Sequence, residues 1–255
     1  MKSIVFYFIL IVSNFHSYVL PCMQAWDGGG TGAWYRVDTS CLYSFSSTTL
    51  IQCLPMIIIP TNETLITDGF FLSLGVFNRL NGAGLDIGLT YVPQTDKWWS
   101  YANDALGWKS GNVSISSSTN RCINISLSIS NDYVKYLIRT SNGSIILGQD
   151  LYTASQLDPQ LNLTVNSSNF GFYRFDSIAQ TKETLKSGSS MIHAQLVEWL
   201  LELESHVFVP ARGDFMASSI RGYPPGPCCT SDEINTIHTY NETKWNQADI
   251  SIVYH

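Results

Sequence analysis

The chain has 255 residues and a net charge of −6; 45% of its residues are hydrophobic, 13% aromatic and only 13% charged. So much apolar and aromatic content excludes a disordered chain. The lack of a basic surplus argues against nucleic acid or an anionic membrane as partner. Charged residues fall well below the roughly 25% of an average soluble domain, and Ser, Thr and Asn take their place.

The first element is a leader. Lys2 supplies a positive start and residues 4–12 (IVFYFILIV) an apolar run, the layout of a secretory signal peptide. The run is too short to span a bilayer, which needs about 20 apolar residues. We read residues 1–20 as the leader, with cleavage between 17 and 25, and residues 24–255 as one domain. No second candidate span follows, so a secreted, extracellular protein is expected.

Beyond the leader, period-2 alternation dominates. Cys122–Ile129 (CINISLSI) sets Ile123, Ile125, Leu127 and Ile129 against Cys122, Asn124, Ser126 and Ser128. Residues 161–165 (LNLTV) repeat the pattern. Further strands are expected at 34–37, 48–54, 56–59, 70–77, 85–92, 132–139, 145–147 and 170–175. Asn81-Gly82 and Asn142-Gly143 stand between strand candidates, where they suit type I′ hairpin turns. Residues 191–204 (MIHAQLVEWLLELE) fit a helix and a strand; continued alternation through Val207 and Val209 favours the strand. Strands at this spacing, with Gly, Asn and Ser between them, predict an all-β, two-sheet antiparallel sandwich of jelly-roll type.

Two covalent features agree with secretion. Seven N-x-S/T sequons begin at Asn62, Asn112, Asn124, Asn142, Asn162, Asn166 and Asn241. The 16 Asn and 50 Ser plus Thr predict roughly three by chance. Six cysteines, Cys22, Cys41, Cys53, Cys122, Cys228 and Cys229, suit three disulfides in an oxidising compartment, with the pairing left open. Their spacing is not that of a zinc site.

Residues 84–99 (GLDIGLTYVPQTDKWW) and then Gly107-Trp108-Lys109-Ser110-Gly111 resemble one hairpin of a concanavalin A-like β-sandwich, the lectin/glucanase fold. Residues 173–178 (YRFDSI) and the terminal ADISIVY resemble later strands of the same architecture. The resemblance implies the fold; lectins, hydrolases and adhesive modules all use it, so function must come from a site.

Four functional readings follow. Carbohydrate binding leads: Tyr91, Asp96, Trp98, Trp99, Tyr101, Asn103 and Trp108 crowd one short stretch, and sugar rings stack on aromatic faces while Asn and Asp bond their hydroxyls. Trp98 and Trp99 are adjacent, so in a strand they face opposite ways. A glycoside hydrolase is the first alternative. The resemblance implies paired carboxylates on one strand, and Glu198, Glu202 and Glu204 approach that spacing, with Leu200 where the family pattern has Asp. Adhesion is another, through Arg212-Gly213-Asp214, although an ordinary turn after Pro210 accounts for the triplet without a ligand. A structural matrix protein is the last. No cofactor or metal motif is present, and the five His are scattered. The expected partner is a carbohydrate or cell-surface ligand.

Overall fold

The computed structural model describes residues 31–253 except 41, 61–68, 118–121, 165–168, 181–187, 213–214, 223–236 and 245–246. The leader, Cys22, Cys41, Cys228, Cys229, Asn62, Asn166, Gly213 and Asp214 lie outside the described residues.

Sixteen strands are described. They are β1 (Thr31–Thr39), β2 (Phe45–Cys53), β3 (Met56–Ile58), β4 (Gly69–Asn78), β5 (Gly84–Val92), β6 (Lys97–Asp104), β7 (Gly107–Ser116) and β8 (Cys122–Ile129). Then follow β9 (Tyr133–Thr140), β10 (Ile146–Thr153), β11 (Phe170–Gln180), β12 (Ser190–Leu203), β13 (Phe208–Pro210), β14 (Met216–Gly222), β15 (Ile237–Lys244) and β16 (Gln247–Val253). One sheet runs β14-β1-β11-β4-β5-β6-β7. The other runs β10-β9-β8-β2-β12-β16-β15, with β3 and β13 also paired to β12. Every pairing is antiparallel. This is the expected all-β sandwich. No helix among the described residues is long and apolar enough to cross a membrane.

Alternation places the core between the sheets. Leu85, Ile87 and Leu89 of β5, in one sheet, and Ile123, Ile125 and Leu127 of β8, in the other, belong to one buried cluster. Removing such side chains from water contributes about 1.5–3 kcal/mol each. Cys53 and Cys122 are opposite one another in the β2–β8 ladder and form a disulfide.

Residues 191–203 are strand, and Glu204 begins the turn that follows. β12 holds four partners: β2 and β3 along one edge, β16 and β13 along the other. Its alternation is not continuous, because the register against β2 shifts between Leu196 and Glu198. The extra residue leaves Val197 38% exposed while Leu196, Trp199 and Leu201 stay buried. A second shift near His193, at φ 59°, falls in the β16 ladder.

The described part of the expected strand at 161–165, residues 161–164, is not a strand. A 3-10 turn spans Pro159–Leu161, with Asp158 capping Gln160 N–H and Asn162 left-handed at φ 48°. Leu161 and Leu163 are nonetheless buried, and Asn78 Nδ2 donates to the Leu161 carbonyl at 3.1 Å. Alternate burial here reflects a loop pinned to the core. The two Asn-Gly hairpins also differ from expectation. Gly82 and Gly143 have φ of 77° and 73°, but Asn81 and Asn142 do not have positive φ, so neither turn is type I′. In the second, Gly143 N–H donates to the Thr140 carbonyl at 2.7 Å, and Asn142 Oδ1 accepts from Ser144.

The middle of β11 carries charge into the interior. Arg174 and Asp176 are each 1% exposed and form an ion pair. From the opposite sheet, Gln52 Oε1 accepts from Arg174 Nε at 3.2 Å. Burial pushes the Asp176 carboxyl from 3.8 up to about 6 against the pull of Arg174. The folded state therefore holds this proton more tightly than the unfolded chain. The group's stabilising contribution is complete below about pH 4 and is lost as pH rises through about 6. Burial shifts Asp38 and Asp86 in the same direction. We expect stability to fall on raising the pH across this window, with Asp176 supplying on the order of 3 kcal/mol. Calorimetry from acid to neutral pH should show a shallower decline in Asp176→Asn; identical slopes would remove Asp176 as the titrating group. The variant should also be less stable throughout, because Arg174 loses its partner.

Candidate functional site

The outer face of the seven-stranded sheet is not an ordinary solvated surface. In β6, alternation turns Trp98, Ser100 and Ala102 inward and Trp99, Tyr101 and Asn103 outward. The β6–β7 turn closes through Asp104 Oδ1, which accepts Leu106 N–H at 2.9 Å, and through Gly107, whose φ of 102° favours glycine. That turn sets Trp108 opposite Asn103.

Registers then define one transverse row. Asp38 of β1 pairs with Tyr173 of β11, and Tyr173 with Gly75 of β4. The β4–β5 register that aligns Ser73 with Gly88 and Val76 with Leu85 brings Gly75 opposite Asp86. Asp86 pairs with Asn103, and Asn103 with Trp108. The row thus crosses six strands.

Glycines open this row for aromatic rings. A Cβ on Gly75 would lie 2.0 Å from Tyr173 Cζ, so the ring lies over Gly75 and its hydroxyl donates to Asp86. Reciprocally, Phe77 covers Gly171, where a Cβ would lie 2.3 Å from its ring. From the other side Tyr101, in register with Gly88, reaches across β5 to hydrogen-bond Ser73. Trp108 lies parallel to Tyr101 with centroids 4.4 Å apart, and Phe71 meets both rings edge-on. Tyr101 is 3% exposed beneath it, whereas Trp108 is 50% exposed.

Charge is concentrated at the other end of the row. Arg36 pairs with Asp38 at 2.7 Å and stacks 4.1 Å above the Tyr173 ring. Burial pushes the Asp38 carboxyl up, partly offset by Arg36. Burial likewise raises Asp86, offset by the Tyr173 hydrogen bond and by Arg36. The Tyr173 hydroxyl is pushed well up by burial and by the Asp86 charge.

This geometry divides the aromatic stretch picked out in the sequence. Trp99, Tyr101, Asn103 and Trp108 share the outer face. Trp98 is a correction: it is fully buried, part of the core. Tyr91 packs against that same core, 5.5 Å from the Trp98 ring, and its hydroxyl donates to Asp96 at 2.9 Å. Tyr91 and Asp96 thus belong to the far end of the hairpin; Trp99 Nε1 there donates to Thr95. Asp86, Tyr173, Arg36, Asp38, Ser73 and Phe71 were not singled out. The available signal was a lone carboxylate in an apolar strand (LDIGL), with glycine two residues from an aromatic in GVF and GFY.

The carboxylates of β12 lie elsewhere. Glu198 and Glu202 stand on the second sheet, and Glu204 is in the turn beyond β12. Glu202 accepts from Ser47 and pairs with His206 at 3.1 Å. Burial alone would raise its carboxyl, but these hydrogen bonds hold it below its usual range. Arg212 is exposed, with the rest of its triplet outside the described residues. Among the described residues, no group of three His, Cys, Asp or Glu could hold a metal ion.

No family model and no curated protein matches the sequence. Some solved structures are similar in fold to this chain. A scytalido-glutamic peptidase, determined with a transition state analog inhibitor, is 7% identical with a TM-score of 0.52, over 88% of this chain and 100% of that one. A family 16 glycoside hydrolase (GH16) from Bacteroides ovatus, in complex with the product G4G4G3G, is 10% identical with a TM-score of 0.31, over 60% and 69%. A family 16 protein from Mycobacterium smegmatis is 11% identical with a TM-score of 0.30, over 60% and 54%. At 7% identity, the likeness to the peptidase is one of fold alone.

The Tyr173 bond favours ionised Asp86, so its loss should raise the Asp86 titration point. Tyr173→Phe, and Gly75→Ala through displacement of the ring, should both move it upward in carbon-13 NMR of the side-chain carboxyl. An unchanged titration in Tyr173→Phe would show that the hydroxyl does not act on Asp86.

Proposed function

We propose that this protein is an extracellular glycoprotein that binds carbohydrate on the outer face of its seven-stranded sheet. The observation that carries the reading is Trp108, half exposed and laid flat on Tyr101. Its ring is fixed from behind by Phe71 and flanked in the row by Asn103 and Asp86. A pre-positioned aromatic face costs little conformational entropy on binding, and neighbouring amide and carboxylate groups suit sugar hydroxyls. The leader, the seven sequons and the Cys53–Cys122 disulfide support the compartment. No sequon falls between Asn62 and Asn112, so the sequence of the β6–β7 hairpin is free of them up to Asn112 itself.

One observation favours a second reading, a glycoside hydrolase on the same face: Asp86 is a half-buried carboxyl whose proton is held more tightly than usual. Its nearest companion in the row is Asp38, three strand spacings away, or about 14 Å. Paired-carboxylate hydrolysis uses about 5–9.5 Å. Binding is therefore what the row supports best.

A glycan array should show the wild-type protein retaining a defined set of glycans, with Trp108→Ala weakening retention at least tenfold while leaving the thermal midpoint within a few degrees. An array with no wild-type binding would end the binding reading. Reducing sugar released from soluble β-glucan by wild type but not by Asp86→Asn would replace it with the hydrolytic one.

A further inference from the structure

The seam between the two sheets, where edge strand β7 meets edge strand β10, holds a cavity of about 380 Å3. Its lining includes Asn112, Asp150, Leu151, Tyr152 and Ser110. Asp150 is 2% exposed, and its Oδ1 accepts both the Asn112 backbone N–H at 2.7 Å and the Asn112 side-chain Nδ2 at 3.2 Å. Its Oδ2 and the Tyr152 hydroxyl are buried with no hydrogen-bond partner among the described residues. Buried polar atoms ordinarily have partners. Both atoms are closed to solvent, Asp150 Oδ2 lying beside Gly111 and Ser100, so they belong to the interior; the cavity is also lined by Lys109 and Gln156, which together with Ser110 offer donors and acceptors to a ligand rich in hydroxyls.

Asn112 itself is exposed, on an edge strand, and opens the sequon Asn112-Val113-Ser114. A side-chain amide nitrogen carries two hydrogens. Asp150 takes one; an N-linked glycan replaces the other and leaves that bond intact. We infer that the β7–β10 seam is the seat of a glycan on Asn112, whose first sugars lie in the cavity against Ser110, Lys109 and Gln156. The inference rests on the extracellular reading above. It distinguishes Asn112 from Asn142, which sits exposed at a hairpin tip with its Oδ1 occupied by Thr140 and Ser144. It also gives the glycan a mechanical role: an edge strand exposes unpaired backbone groups to other chains, and a sugar held along β7 covers them.

The test uses the full chain secreted from a eukaryotic host. Glycopeptide mass spectrometry should find Asn112 occupied. Under native conditions a glycan amidase should release the Asn142 glycan at least ten times faster than the Asn112 glycan, and the difference should vanish after denaturation. Ser114→Ala abolishes the sequon yet keeps the Asn112–Asp150 contact. It should lower the thermal midpoint by roughly 2–4 °C for protein from the glycosylating host, and leave it unchanged for protein from a host without N-glycosylation. Asn142 occupied with Asn112 bare would overturn the inference and spare the extracellular reading. All sequons bare would overturn both. Equal release rates, with no effect of Ser114→Ala in either host, would show an ordinary surface glycan.

Discussion

The ion pair inside β11 constrains the rest of the sandwich. An alternating strand ordinarily sends apolar residues inward and polar ones outward. β11 does so at Phe172 and Ile178, but between them buries Arg174 and Asp176. Desolvating such a pair costs several kcal/mol per ion before attraction offsets it. The charges are tolerable only because they meet each other and Gln52 of the opposite sheet. That contact fixes β11 against β2, and a register slip would have to carry two charges to new positions. It also decides the outside, because whatever alternates with Arg174 and Asp176 must face outward: Tyr173 and Phe175.

An outward-facing tyrosine in mid-sheet needs room, and glycine provides it. Tyr173 lies over Gly75 and Phe77 over Gly171, each ring covering the strand position opposite its own residue. Rings laid over cross-strand glycines restore packing that glycine alone gives up. The consequence is electrostatic as well as steric. A ring lying over Gly75 carries its hydroxyl one strand further, to Asp86, and the same ring supports Arg36. The interior ion pair, the glycine gap and the outer row are therefore one arrangement seen from two sides of the same strand.

Sequence pattern revealed those parts of the fold in which burial alone sets the order. CINISLSI is a strand from end to end because each apolar side chain points the same way and nothing local competes. LNLT shows the same pattern of burial without a strand. There Asp158 and Pro159, an N-cap and a residue suited to a helix start, build a 3-10 turn just upstream. The pattern gave the side-chain directions, and the Asp-Pro signal decided the backbone. β12 shows the opposite case: the strand was readable, but the bulge at Val197 was not. A bulge depends on the pairing with β2, and pairing is a property of two segments. The functional row was hidden for the same reason. Asp38, Tyr173, Asp86, Asn103 and Trp108 are scattered over 136 positions of sequence and become neighbours only through five inter-strand registers. Only Asn103 and Trp108, close together on one hairpin, could be picked out beforehand.

The division of the aromatic hairpin follows from a single alternation. Trp98 and Trp99 cannot share a face, so one enters the core and anchors the hairpin while the other faces out. The core contact of Trp98 gives Trp108 its rigidity, since β6 is held on its inner side by a fully buried indole. Tyr101 is packed between Phe71 and Trp108. A surface aromatic backed in this way resists collapsing onto its neighbours in the absence of a ligand. Trp99 differs: its indole N–H is tied to Thr95 in the preceding turn, which holds that ring toward the loop and away from the row. Within one strand, the distance from Trp98 therefore sorts the outward aromatics into one that closes a turn and one that supports an open face.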